Sequence, residues 1–255
     1  MSAKRHLFDA HFHIIDPKFS LVANNGYLPP AFTAADYRDR AEPLGVCGGA
    51  VVSGSFQAFD QDYLADALRV LGPAYVGVTQ LPADTPDETI VSLDQAGIRA
   101  VRFNLRRGGS EGLDNLERMA RRVHDLAGWH VELYADAESL APHLAMLKSL
   151  PRVVIDHLGL SEAGQSVLLD LAGHGAKVKA TGFGRLDFDI SAALKAIDVA
   201  NPDALMFGTD MPSTRAPRPF ETRDIDLIAS AIGEDGLARV LHDNAVALYR
   251  PKRAA

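Results

Sequence analysis

Short, nearly continuous apolar runs alternate with longer amphipathic stretches along the whole chain. Eight runs can be traced, at residues 7–13, 48–53, 75–80, 100–105, 130–134, 153–157, 177–182 and 205–208. β-Branched and aromatic residues dominate them, and most begin or end at Gly or Pro, the signature of strands buried on both faces of a parallel sheet. The stretches between them carry helix-start signals. Asp60 stands before residues 61–68, where its carboxylate can accept first-turn amides. Thr85-Pro86-Asp87-Glu88 has the spacing of a capping box, with a proline at the first helical position. Asp136 and Ser161 stand in the same way before residues 137–150 and 162–172. Eight strand–helix units without repeats or linkers, in a chain of 255 residues, predict one (β/α)8 TIM barrel spanning residues 1–255. A doubly wound open sheet is the structural rival. No Gly-x-Gly-x-x-Gly follows the first strand, which weakens a dinucleotide-binding version of that rival.

Composition narrows the function classes. The chain is 47% hydrophobic and 23% charged, with a formal net charge of -7. Without basic tracts it has no electrostatic footprint for nucleic acid or an anionic membrane. Cys47 is the single cysteine and lies in an apolar stretch, so it reads as a buried thiol with no partner, in a reduced compartment. Met1 to His6 lead directly into the first strand with no signal-like apolar stretch, and no run reaches the length of a membrane span. A cytoplasmic protein is expected. The pattern carries no signal of oligomeric state.

In such barrels the site forms at the carboxyl ends of the strands. His11 and His13 end the first strand two residues apart, so both imidazoles share a face, with Asp9 one step deeper on the same alternation. Two imidazoles so placed suit metal ligation or polarisation of a carbonyl oxygen. His157 ends the sixth run and Asp210 follows the eighth, aiming at the same rim. Arg102, Asn104 and Arg106 share a face of the fourth strand by alternation, and Arg106 and Arg107 lead into Gly108-Gly109. An arginine inside a barrel must be paired, so Arg102 is expected either to bridge Glu132 or Asp9 or to hold a substrate carboxylate. Several guanidinium forks together predict a small carboxylated substrate. Arg185 follows the seventh strand, Tyr134 the fifth, and Ser53 and Ser55 the second, as further contacts; Tyr134 reads equally well as core. Lys179 reads as an ion-pair partner of Glu132. His6, His124, His130, His143, His174 and His242 read as structural. No Gly-x-Ser-x-Gly elbow occurs, so covalent catalysis has little support.

Five segments, in order and one per strand or helix, carry a resemblance: Phe-Asp-Ala-His-Phe-His (8–13), Ala-Val-Arg-Phe-Asn (100–104), Val-Ile-Asp-His-Leu-Gly (154–159), Phe-Gly-Thr-Asp-Met-Pro (207–212) and His-Asp-Asn-Ala-Val-Ala-Leu-Tyr (242–249). With them the chain resembles the amidohydrolase superfamily, and within it the branch of 2-pyrone-4,6-dicarboxylate lactonase and related lactone hydrolases. The resemblance implies His11, His13, His157 and Asp210 as the catalytic quartet. It implies Arg102, Arg106 or Arg107, Tyr134 and Arg185 as carboxylate-binding residues. Metal-binding members add a Lys or Glu on strand four and a His on strand five; Arg102 and Tyr134 stand there instead, so a second metal position is missing. The resembled lactonase works without metal, while some relatives keep one zinc, for which His11, His13, His157 and Asp210 would be the ligands. The nearby arginines favour the metal-free form. The expected reaction is hydrolysis of a carboxylated lactone, with the three histidines donating to the carbonyl oxygen and Asp210 activating water. A zinc-dependent decarboxylase and a non-catalytic carboxylate-binding barrel are the alternatives.

Overall fold

The computed structural model describes residues 6–252, so Met1 to Arg5 and their expected approach to the first strand lie outside the described residues. Eight strands, β1 (Leu7–Phe12), β2 (Val46–Val52), β3 (Tyr75–Thr79), β4 (Ile98–Phe103), β5 (His130–Leu133), β6 (Val153–Ile155), β7 (Lys177–Ala180) and β8 (Leu205–Phe207), form one sheet in chain order. Every neighbouring pair is parallel. The two outermost strands are joined just beyond β8: the Asp210 amide donates to the His11 carbonyl at 2.7 Å and the His13 amide to the Met211 carbonyl at 2.8 Å. The sheet therefore curls into a nearly closed (β/α)8 barrel rather than an open doubly wound layer. All eight expected strands are present, each within about two residues of its expected position.

Helices α1 (Ala34–Ala41), α2 (Asp62–Leu71), α3 (Asp87–Ala96), α4 (Leu113–Ala127), α5 (Leu144–Ser149), α6 (Gln165–Gly173), α7 (Ile190–Ala200) and α8 (Arg223–Ile232) cover the outside. Their starts follow the side-chain chemistry only in part. Asp60 accepts the Asp62 amide at 2.9 Å, and Asp136 accepts that of Glu138 at 3.1 Å. Thr85 does not complete a capping box; its hydroxyl donates to the Pro82 carbonyl, a local turn that competes with capping. Asp136 opens a 3-10 stretch, Ala137–His143, before the short α5, because Pro142 interrupts a continuous α-helix.

Two apolar layers hold the barrel. Phe8, Ala10, Ala50, Val52, Val76, Val78, Ala100, Val154 and Met206 fill its lower interior, plugged from below by Leu248 and Tyr249 of the last helix. Leu7, Phe12, Val51, Phe103, Val131, Ile155, Val178 and Phe207 pack outward against the helices. In β1 this alternation changes phase: Phe8 and Ala10 point in, yet Phe12 lies in the outer layer, stacked on Tyr37 at 3.6 Å. The register against β2 shifts between Asp9 and Phe12, and a bulge of this kind re-aims the side chains beyond it. Asp9 is thus turned away from His11 and His13, contrary to the expectation that it shares their face. It accepts Tyr37 Oη at 3.1 Å, Thr209 N at 2.8 Å and Thr209 Oγ1 at 2.6 Å.

Cys47 departs from expectation as well. It is part-exposed, with its sulfur 3.3 Å from His6 Nδ1, so it is neither fully buried nor without a partner. Among the described residues no helix is long and apolar enough to cross a membrane.

Candidate active site

The carboxyl ends of the strands frame a small, partly open pocket whose walls include His13, Arg102, Arg107, Tyr134, His157, Arg185 and Asp210. Beyond the bulge in β1, His13 lines it and His11 lies fully buried beneath, the two rings edge-on with centroids 5.1 Å apart. His157 follows the last residues of β6, its ring 4.8 Å from that of His11 and 5.2 Å from that of Tyr134. His157 and Asp210 are both held at positive φ, 51° and 59°, a backbone state that concentrates at functional sites. Close packing fixes the histidine: a Cβ on Gly182 would lie 2.4 Å from His157 Nδ1, so only glycine allows that approach.

Hydrogen bonds assign the imidazole protons. His13 Nδ1 lies 2.7 Å from the Val52 carbonyl; a carbonyl only accepts, so the proton is on Nδ1 and Nε2 carries a lone pair. Burial, then the Arg102 charge, holds His13 down at about 3, so this tautomer stays neutral. His11 Nδ1 lies 3.2 Å from Lys179 Nζ and 3.4 Å from Asp156 Oδ1. The ammonium donates to the closer nitrogen, which leaves the His11 proton on Nε2, facing the cavity side. Burial also depresses His11 and His157, against the opposing pull of Asp156.

Asp210 is fully enclosed. Its Oδ2 accepts Arg185 Nε at 2.9 Å, while Oδ1 lies 3.9 Å from His11 Nε2 and 3.8 Å from His13 Nε2. Burial pushes this carboxyl up to about 6 even though Arg185 opposes the shift. His11 Nε2, His157 Nδ1 and Asp210 Oδ1 are all buried without a hydrogen-bond partner, and groups from these three residues lie within 4.8 Å of one another. Buried polar atoms are rarely left so.

Arg102 bridges neither Glu132 nor Asp9. Its Nε and Nη2 donate to Asp156 Oδ2 at 3.1 and 2.8 Å, and its Nη1 to the Ser53 carbonyl at 2.8 Å, while the guanidinium lies 5.1 Å over the Tyr134 ring. Lys179 does pair with Glu132, as expected, and also lies 3.4 Å from Asp156. Burial works to raise Asp156, but the Lys179 and Arg102 charges outweigh it and hold the carboxyl well below its usual range. Asp156 is therefore the anion that binds the cationic floor of the site together. Its signal in the sequence was its position immediately before His157.

Two expected contacts move out of the cavity. Arg106 is solvent-exposed and lines no part of it: β4 ends at Phe103, so the alternation that placed Arg106 beside Arg102 has stopped three residues earlier. Ser53 is buried against Tyr63, its hydroxyl 2.5 Å from the phenol oxygen, and offers Arg102 only its carbonyl. Ser55 and Asn104 do line the cavity, and so do Thr214 and Arg215, which the sequence did not single out. Arg215 arrives on the loop after Asp210, its guanidinium 4.3 Å over the Tyr27 ring, and nothing periodic marks such a loop residue. His130 sits at the opposite end of the barrel, bonded to Glu132.

A parallel eightfold barrel with two strand-one histidines, a strand-six histidine and a strand-eight aspartate converging at its carboxyl end defines the amidohydrolase class of proteins. The chain belongs to the amidohydrolase family, whose model matches residues 8–250. A curated relative, the 2-pyrone-4,6-dicarboxylate hydrolase of Comamonas testosteroni, is 30% identical over 164 residues. That match takes in 62% of this chain and 53% of the relative, about half its length. A Pseudomonas putida structure named for 2-pyrone-4,6-dicarboxylic acid hydrolysis is 25% identical and superposes with a TM-score of 0.82 over 97% of this chain and 98% of that one. An Agrobacterium tumefaciens structure at 22% identity shares the fold, with a TM-score of 0.86 over 97% of both chains.

Proposed function

We propose that the protein hydrolyses a small lactone carrying at least one carboxylate, with Asp210 as the base. The observation that carries this reading is the divided Asp210 carboxylate, one oxygen neutralised by Arg185 and the other bare beside two imidazoles. The names of the Comamonas and Pseudomonas relatives support the substrate class. Arg107 and Arg215 at the rim of one cavity are placed to meet a substrate carboxylate, Arg102 and Arg185, committed to Asp156 and Asp210, add positive charge beneath them, and Tyr134 supplies a phenol.

Water sits between Asp210 Oδ1 and His13 Nε2, donating one hydrogen to each. That use of His13 differs from the expected donor, because its Nδ1 proton is committed to Val52. His11 Nε2–H, set by Lys179, donates to the lactone carbonyl oxygen as charge develops there. His157 flanks the same oxygen. Asp210 takes the water proton as the tetrahedral intermediate forms and returns it to the ring oxygen as the C–O bond breaks.

The family makes a divalent ion the natural question. His11, His157 and Asp210, with His13 beside them, are the residues that would hold one, and it would polarise the carbonyl and acidify water. Two features weigh against it. Lys179 donating to His11 Nδ1 puts a proton, not a lone pair, on the inward nitrogen, and Arg185 and Arg102 add positive charge beside the donors. We therefore read the site as working without metal, with a single Zn2+ as the second reading. Elemental analysis of purified enzyme, on the same sample as a panel of neutral and carboxylated lactones, tests both. Turnover of a carboxylated lactone at far less than one equivalent of metal is expected. Stoichiometric zinc with carbon dioxide release would replace this reading by the decarboxylase one, and binding without turnover across the panel by a non-catalytic barrel.

A further inference from the structure

On the floor of the barrel, opposite the cavity, three metal-ligating side chains from distant parts of the chain meet. His6 stands just before β1, Cys47 is the second residue of β2, and His242 lies in a single π-helical turn, Arg239–Asp243, that precedes the last helix. Ligand atoms of the three lie within 4.8 Å of one another. Cys47 Sγ is 3.3 Å from His6 Nδ1, and the two imidazole rings meet edge-on at 5.1 Å.

We propose that His6, Cys47 and His242 form a binding site for one borderline-soft divalent cation of the Zn2+ kind, separate from the catalytic cavity. One thiolate and two imidazoles are the donor set such ions prefer, and hard ions such as Mg2+ and Ca2+ are disfavoured by sulfur. The geometry is close to that needed: Zn–S and Zn–N bonds at a tetrahedral angle put sulfur and nitrogen roughly 3.6 Å apart. Modest rotation of the exposed His6 imidazole draws in the widest of these separations. His242 is prepared as a ligand, because its Nδ1 donates to Asp243 Oδ1 at 2.8 Å. Its lone pair is therefore on Nε2, and a carboxylate behind a histidine is the usual support of a ligating imidazole. The Leu7 carbonyl accepts from Cys47 Sγ at 3.2 Å; coordination replaces that S–H by an S–metal bond and releases the proton to solvent. The π-turn gives this residue its place, since such turns mark functional positions. The fourth position of a tetrahedron faces solvent and takes water. Bound there, the ion ties the start of β1 to the closing segment of the chain, on the barrel face whose residues serve stability.

Co2+ titration of tag-free, chelator-stripped full-length protein tests this. The catalytic cluster contains no sulfur and Cys47 is the single cysteine, so a near-ultraviolet sulfur-to-cobalt band can come from this site alone. One equivalent of Co2+ should give that band together with tetrahedral visible absorption. Cys47→Ser should abolish the band, and His242→Ala should weaken Co2+ affinity tenfold or more. Zn2+ should raise the melting temperature of the parent protein further than that of Cys47→Ser. No sulfur band at stoichiometric Co2+, or a band unchanged in both His6→Ala and His242→Ala, would overturn the site. Equal Zn2+ stabilisation of parent and Cys47→Ser would overturn its stabilising role.

Discussion

Arg185 grips Asp210 by one oxygen only: both Nε and Nη2 approach Oδ2, at 2.9 and 2.7 Å, while Oδ1 faces His11 and His13 with no hydrogen bond. A symmetric, two-oxygen fork would have consumed the carboxylate as an ion-pair partner. The one-sided grip fixes its orientation and leaves a basic oxygen pointing at the convergence of the imidazoles. Several measurable consequences rest on that asymmetry and on the charge network beneath it.

Asp210→Asn keeps the shape and one acceptor oxygen but removes the base. Turnover of a carboxylated lactone should fall by about 10²–10⁴, the usual worth of a positioned acid–base group, while KM changes only a few-fold. Steady-state kinetics beside a calorimetric titration with a non-hydrolysed dicarboxylate separates the two effects. Undiminished kcat would remove Asp210 from the chemistry.

The acid limb of the rate profile should report the same group. Burial raises the Asp210 carboxyl to about 6, and the base acts when ionised, so kcat/KM should fall about tenfold per pH unit below that value. Arg185 pulls the carboxyl downward, so Arg185→Met should shift the limb to higher pH. A limb that stays in place in this variant would argue that another group sets it.

Arg102 and the two rim arginines should separate by stability. Arg102→Met strands the enclosed Asp156 charge, which predicts a loss of about 3–5 kcal/mol in urea unfolding. Arg107→Ala and Arg215→Ala should leave stability nearly unchanged and raise KM for a carboxylated lactone by roughly 10- to 100-fold, with little effect on a neutral one. Equal effects on both substrates would show that the rim arginines do not read the carboxylate.

Lys179→Met leaves Glu132 and Asp156 without their shared cation and frees His11 Nδ1 to donate to Asp156. Stability should fall by about 3–5 kcal/mol, and Glu132→Gln in the same chain should restore part of it. Lys179→Met should also lower kcat, and that loss should remain in the double variant, since the His11 proton is still misplaced. Full recovery of kcat would reduce Lys179 to a structural role.

Asp9 gives a prediction with the opposite pH sense from the common carboxylate. Burial raises it from 3.8 to about 6, so its contribution to stability is complete below the lower value and is lost as pH rises through the upper one. Asp9→Asn, neutral throughout, should flatten the fall in unfolding free energy between pH 4 and 6. An unchanged slope would place the titration elsewhere.

The barrel, its strands to within about two residues, and the four groups His11, His13, His157 and Asp210 at one end of it were all legible in the chain's local pattern. Period, strand length and the ends of apolar runs are local properties, and in a parallel barrel the end of a strand is the site. The phase and the partners of side chains, by contrast, emerge only once the sheet has closed. The bulge in β1 turns Asp9 away from His11, although strict alternation puts them on one face. The end of β4 at Phe103 sends Arg106 to solvent, while the loop after Asp210 brings in Arg215. Arg102 finds Asp156, two strands away across the barrel interior, because a buried charge takes whichever opposite charge the closed sheet delivers. The proton on each histidine was equally unreadable, since Val52 and Lys179 set it, and neither is near its imidazole in the chain.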